Sequence, residues 1–210
     1  GGTLVTLSAE ASRGASNDLF RATVFAEASN ASSAAVARLV NQQIAAALAV
    51  ARDYPNVKAS TGNSQTYPIY GKNERSIDAW RMHSEIQLES RDSAALADLL
   101  GKLQGSRSST NGSGMGVGQI GASPAPETAQ KAEADATIAA IQAFRERAAL
   151  IAGTLGKKYR IRELNVGSRS PVYPVFRAKA MMAAEAAPMP IEGGDSQVTV
   201  NINGKIELVD

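Results

Sequence analysis

The sequence predicts an α+β fold, with three helices packed on a mainly antiparallel or mixed β-sheet. Several segments alternate apolar and polar residues with the two-residue period of a strand. Three other segments repeat apolar residues every three or four positions, as amphipathic helices do. The predicted order is β-β-α-β-β-α-β-α-β-β, and its short connections and hairpins place it in the α+β class.

The longest predicted element is a helix over residues 126–155. Pro124 and Pro126 suit a helix start, where a missing N–H costs little, and Gly156 suits a left-handed C-cap. Its predicted buried stripe repeats at steps of three or four and consists of Ile138, Ile141, Phe144, Ala148, Ile151 and Leu155. The helix would be roughly 45 Å long, and a sheet or a partner must cover its apolar stripe. We therefore expect Phe144 to be buried.

The N-terminal half alternates between predicted strands and helices. Residues 3–12 and 19–28 alternate in the strand period around the turn-forming residues 14–18, which predicts a β-hairpin. An alanine-rich helix follows, and residues 57–70 and 76–91 are then predicted as two strands. A short leucine-rich helix comes next.

The C-terminal half contains two segments with the composition of irregular chain. Residues 105–114 are rich in Gly and Ser and predict a flexible loop. Residues 115–123 and 159–168 read as strands on either side of the long helix. Residues 170–196 are rich in Pro, Ala and Met, and we expect a mostly extended, irregular segment there.

The last strand contains an ambiguity at Asn203-Gly204, a dipeptide typical of a hairpin turn. The apolar residues on both sides keep one parity straight through it: Val198, Val200, Ile202, Ile206 and Leu208. One continuous strand explains that parity without further assumptions. We therefore favour a single strand over residues 197–209, with a turn at Asn203-Gly204 as the alternative.

Composition narrows the functional classes. The chain of 210 residues has a net charge of +2, which favours neither nucleic acid nor an acidic membrane surface as a partner. No cysteine is present, so disulfides and thiolate chemistry are excluded. We predict no membrane span. No signal peptide is recognised before the first strand, as expected of a chain from which one has been removed.

Short motifs follow one another along nearly the whole chain. They are LVTLSAEA at residues 4–11, Asp18-Leu19, Tyr67-Pro68-Ile69-Tyr70, Ile77-Asp78-Ala79-Trp80-Arg81, Leu155-Gly156 and PMPIEGG at residues 188–194. In this order they resemble the SIMPL-domain family, bacterial envelope proteins of largely unknown function. Ala79-Trp80 departs from the family, which often has Gly-Tyr or Gly-Phe there.

The resemblance implies a single SIMPL-like domain over residues 1–210, a periplasmic location, ring assembly in some members, and a link to oxidative or envelope stress. It supplies no catalytic motif. We therefore expect a non-enzymatic envelope protein that self-associates as a homo-oligomer. Unprotected strand edges favour the same conclusion, with an interface through residues 173–191 or a terminal strand. The alternative is that residues 170–196 fold back on their own domain. We predict no catalytic residues, no cofactor and no metal site.

The main alternative is an enzyme or a small-molecule-binding protein with a site near His83. This histidine is predicted on a strand face with Arg81 and Glu85, and Tyr67 and Tyr70 end a neighbouring segment. A single histidine without cysteine argues against zinc. No Gly-x-Ser-x-Gly turn presents a serine nucleophile.

Three further patterns have a structural and a functional interpretation. Basic residues between Lys157 and Arg162 predict either a solvated face or a weak nucleic-acid contact. The glycines of residues 114–118 favour a closely packed strand over a phosphate loop. Met181, Met182 and Met189 predict groove packing rather than copper(I) binding.

Overall fold

A computed structural model of the chain describes residues 2–105, 115–169, 171, 173–176 and 191–210. The helices are α1 (Ser33–Ala51), α2 (Ser93–Gly105) and α3 (Pro126–Thr154). The strands are β1 (Leu4–Ser16), β2 (Leu19–Asn30), β3 (Val57–Tyr70), β4 (Ile77–Ser90), β5 (Gly116–Ser123), β6 (Lys158–Arg169), β7 (Val175–Phe176) and β8 (Asp195–Val209). The predicted α+β class is confirmed, and the short β7 is an addition to the predicted order.

The chain divides into two compact units. Unit 1 comprises residues 1–18, 123–173 and 194–210, and unit 2 comprises residues 19–122 and 174–193. Each unit has its own sheet, with strand order β1-β8-β6 in one and β3-β4-β2-β5-β7 in the other.

The predicted hairpin between the first two strands is wrong. β1 pairs with β8, whereas β2 pairs with β4. The polar residues that suggested a turn make other bonds. Asn17 donates its backbone N–H to the Gly194 carbonyl and accepts a hydrogen bond from Ser196. Asp18 accepts hydrogen bonds at the start of α3. The turn-like composition therefore marks a connection between two sheets.

In unit 1, α3 packs on β1 and β8. Phe144 is fully buried among Leu7, Val200, Ile202, Ile206 and Leu208, as predicted. β8 is one continuous strand through Asn203 and Gly204, which confirms the favoured interpretation of that segment.

The predicted stripe of α3 is partly wrong, because Ile138 and Leu155 are exposed. The buried side chains instead repeat every four residues and are Ala132, Ala136, Ala140, Phe144, Ala148 and Ala152. Alanine leaves little side chain between the helix and the sheet, so the helix backbone lies close to the strands. Small residues therefore define the centre of the contact face, and Ile141 and Ile151 pack beside them partly buried.

In unit 2, α1 and α2 pack on β4, and α1 also packs on β2. The core contains Val24, Ile86, Leu88, Leu96, Leu99, Leu100 and Ile120, all fully buried. α1 has the length and apolar composition of a membrane-crossing helix, and one face of it is buried in this core.

Parts of the two segments predicted as irregular lie outside the described residues. They are residues 106–114 of the predicted loop and residues 170, 172 and 177–190 of the Pro/Ala/Met-rich segment. Of the latter, Ile191 is buried in the core of unit 2. Residues from Asp195 onward already belong to β8.

Candidate functional site

His83 lies on the face of β4 that points away from the helices. Met82, Ser84 and Ile86 point into the core, so the alternate residues Arg81, His83 and Glu85 share the open face, as the sequence predicted. We call this open-face group, together with its partners on β2, the His83 cluster.

Pairing between β2 and β4 adds two residues that the sequence did not indicate. Glu27 is the cross-strand partner of His83, and its Oε2 atom lies 3.0 Å from Nδ1 of the histidine. Glu85 Oε1 lies 3.2 Å from Nε2. The Phe25 ring stacks on the imidazole with centroids 4.9 Å apart. Only the strand register could have revealed these contacts, because β2 and β4 are separated in the chain by α1 and β3.

The two carboxylates decide the protonation of His83. Partial burial disfavours the imidazolium, but hydrogen bonds and charge attraction from Glu27 and Glu85 outweigh it and raise the pKa of His83 above its ordinary value. With both ring nitrogens bonded to carboxylates, the ring has no free lone pair for a base or a ligand. This geometry suits a structural ion cluster.

Arg81 and the tyrosines occupy the remaining positions of the predicted site. The Arg81 guanidinium lies 3.6 Å from Glu27 and donates to Ser29 Oγ at 3.1 Å. Tyr67 is the cross-strand partner of Arg81 on β3. Tyr70 lies beyond a register shift, opposite Ile77. The sheet therefore brings Arg81, His83 and Tyr67 onto adjacent strands and places Tyr70 at the strand end.

The glycine-rich strand has a packing explanation. A Cβ atom on Gly116 would lie 2.3 Å from Cζ of Phe25, so the ring needs a glycine beside it. Phe25 thus has His83 in contact on β4 and Gly116 in contact on β5. The predicted close packing of the glycine-rich strand is confirmed at Gly116.

Two residues of the basic segment at the start of β6 form ion pairs with acidic side chains. Lys157 forms an ion pair with Asp210, and Arg162 forms one with Glu207. Both carboxylates respond with lowered pKa values, chiefly through these hydrogen bonds. Two of the basic residues in the segment therefore have their charge paired within the chain, as on a solvated face.

Within the described ranges, no group of three or more His, Cys, Asp or Glu side chains could hold a metal ion. Met181, Met182 and Met189 lie outside those ranges.

The three strands of the unit 1 sheet differ in whether their edges are paired. β8 has neighbours on both sides, β1 and β6. In the part of the chain that the structure describes, β1 and β6 each pair with β8 alone. β6 is exposed along its length apart from the half-buried Tyr159, and α3 contacts it far less than it contacts β1 or β8.

A family model described as SIMPL, protein of unknown function (DUF541), matches residues 5–206. A comparison with curated proteins finds no match.

Solved structures resemble fragments of the chain. An amidase of the hydantoinase/carbamoylase family from Burkholderia multivorans shares 15% identity at a TM-score of 0.35, over 55% of this chain and 29% of that one. A related amidase from Burkholderia vietnamiensis shares 15% identity at a TM-score of 0.29, over 46% and 24%. The chain spans less than a third of the length of either enzyme, and at these TM-scores the likeness has no bearing on function.

Proposed function

We propose that this chain, which belongs to the SIMPL family of proteins of unknown function, is a non-enzymatic envelope protein that acts by self-association. One observation carries the proposal. Among the described residues β6 has an unpaired edge, and it carries a row of exposed apolar side chains, Ile161, Leu164 and Val166. Exposed edges with apolar side chains pair with other chains unless they are covered.

The structure changes which segments are available for such an interface. Of the two terminal strands, β8 has both edges paired, and β1 has one edge that no described strand pairs with. Ile191 is buried inside unit 2 and is not free to dock on a neighbour. Tyr173 and Val175 are exposed, so the beginning of the 173–191 segment remains a candidate contact.

The His83 cluster supports a role without catalysis. A general base needs an unprotonated nitrogen facing a substrate, whereas each ring nitrogen of His83 faces a carboxylate. A substrate or ligand would first have to displace Glu27 or Glu85. This arrangement also weighs against the alternative of a small-molecule site at His83, Arg81 and Tyr67.

An envelope location and a stress-related role are the wider parts of the proposal. The family resemblance supplies the expectation of a periplasmic protein. Release of the natural gene product by osmotic shock tests the location. Survival of a deletion strain in peroxide tests the stress link. Retention of the protein in the cytosolic fraction would contradict the envelope location. Survival of the deletion strain equal to that of the parent strain would contradict the stress-related role.

Self-association is tested by light scattering across micromolar concentrations. The expected result is a solution mass above the 21.9 kDa of one chain that rises with concentration or is already a multiple of it. A mass of 21.9 kDa throughout would refute the proposal.

A further inference from the structure

We infer that β6 pairs antiparallel with β6 of a second copy, about a two-fold axis between Arg162 and Glu163. The inference depends on the proposed self-association and specifies its interface. It would join two three-stranded sheets into one continuous sheet, in which β6 is no longer an edge.

The first argument is an uncovered apolar row on β6. Ile161, Leu164 and Val166 pair with Ile206, Gly204 and Ile202 of β8. Directly opposed residues share a sheet face, so the row lies on the face that α3 covers over β8. On β6 the side chains remain 39%, 38% and 54% exposed. Among the described residues, the core of unit 1 is thus incompletely covered along this strand.

The second argument is a β-bulge that divides the strand. The pairing with β8 shifts between Ile161 and Glu163, so Arg162 is an extra residue. Arg162 donates a hydrogen bond to Glu207, and Glu163 forms an ion pair with Lys205. Glu207 and Lys205 both lie on the open face of β8. Two consecutive residues therefore point the same way, and the in–out alternation is reversed on the two sides of the bulge.

The bulge selects one register for a symmetric pair. With the axis between Arg162 and Glu163, Ile161 faces Leu164 of the partner, and Tyr159 faces Val166 of the partner. In each pair both side chains are on the apolar face. If the axis is moved along the strand by half a residue or one residue, a side chain on the apolar face lies opposite one on the other face, at or next to the axis. Register is fixed in this way wherever one face is apolar.

Charge complementarity supports the same register. Arg162 of each copy faces Glu163 of the other, and Arg160 faces Asn165. No like charges oppose each other between Arg160 and Asn165, as self-complementary C2 interfaces require. Arg162 and Glu163 already have partners within the chain, so the dimer would extend those pairs into a network.

β1 is the competing edge, and it fits less well. Its inward residues Val5, Leu7, Ala9 and Ala11 are packed against α3 or partly buried, so pairing at this edge would cover little apolar surface. In the part of the chain that the structure describes, β6 combines an unpaired edge with exposed apolar side chains.

Single cysteines test the register, because the chain contains no cysteine of its own. Glu163→Cys places two thiols one residue apart across the axis, roughly 6 Å between Cα atoms, which a disulfide can bridge. Ser168→Cys, on the same exposed strand, places them about 36 Å apart at ~3.3 Å per residue. We expect mild oxidation to give a covalent dimer with Glu163→Cys and none with Ser168→Cys.

Further variants make the outcomes separable. Ser8→Cys reports pairing through β1, and light scattering of the wild-type chain reports association itself. A cross-link at Ser168→Cys or Ser8→Cys but not at Glu163→Cys would overturn the β6 interface. The β6 interface would also be overturned if the wild type is an oligomer but none of the three cysteine variants forms a cross-link. Either of these two results would leave the proposed self-association intact. A wild-type monomer would overturn both.

Discussion

The ring of Phe144 lies against the Cα atom of Gly204, at the site that a side chain at position 204 would occupy. A Cβ atom built there would be 2.8 Å from Cζ of Phe144 and 2.5 Å from the Glu163 carbonyl oxygen. The glycine therefore serves the packing of α3 on β8. It does not serve a turn, although Asn203-Gly204 is the dipeptide that most often indicates one.

Gly204→Ala is accordingly expected to destabilise unit 1 by about 1–3 kcal/mol, because the added methyl group forces the ring or the strand to move. Gly167→Ala on β6 is the matched control, since a Cβ there meets nothing within 4 Å. Urea unfolding followed by circular dichroism measures both. Equal midpoints for the two variants would contradict the packing role.

Phe144→Ala is expected to cost about 3–5 kcal/mol, because the ring is fully buried and its removal leaves a cavity. Ile138→Ala is the control on the same helix, where the side chain is exposed and the change should stay within about 0.5 kcal/mol. Denaturant titration of both variants compares them. A similar loss from the two substitutions would mean that α3 faces the sheet differently.

Asp18 acts as the cap of α3 from a distant part of the chain. Its Oδ1 atom accepts the Ala125 N–H at 2.7 Å, and its Oδ2 atom accepts the Thr128 hydroxyl at 2.7 Å. Ala125, at the N-cap position, supplies no side-chain bond itself. Asp18→Ala should cost about 1–2 kcal/mol of unfolding free energy, and Asp18→Asn should cost less because it keeps one acceptor. An alanine variant with wild-type stability would show that the cap is unimportant.

The stability of unit 2 should depend on the ionisation of His83. The folded-state pKa of His83 is raised, through Glu27 and Glu85 against the opposing effect of burial. The stabilisation is therefore fully present below the unfolded-state pKa of about 6.5 and is lost as pH rises through the folded-state pKa. Urea midpoints of the wild type should fall across that window. Trp80, the only tryptophan, lies on β4 and reports unit 2 by fluorescence.

His83→Gln is the control for that pH dependence. It removes the titrating group and should flatten the fall in midpoint, while Arg81 and the carboxylates remain. A fall of the same size in the variant would assign the effect to other groups.

Several features were predictable because they depend on local pattern. The alternation of Val198 to Leu208 identified β8, and the apolar repeat identified α3. Pairing partners were not predictable, since the choice between β2 and β8 as the neighbour of β1 depends on tertiary packing. The same limit applies to the His83 cluster. Arg81 and Glu85 follow from the parity of one strand, whereas Phe25 and Glu27 follow from a register that no local pattern encodes.

Sedimentation velocity of the wild type beside Leu164→Lys and Ile138→Lys tests self-association through β6 most directly. Both substitutions place a charge at an exposed apolar site, but only Leu164 lies in the proposed interface. We predict an oligomer for the wild type and for Ile138→Lys, and about tenfold or greater weakening of association for Leu164→Lys. A wild-type sample that sediments as a 21.9 kDa monomer, or a Leu164→Lys variant that associates as the wild type does, would contradict it.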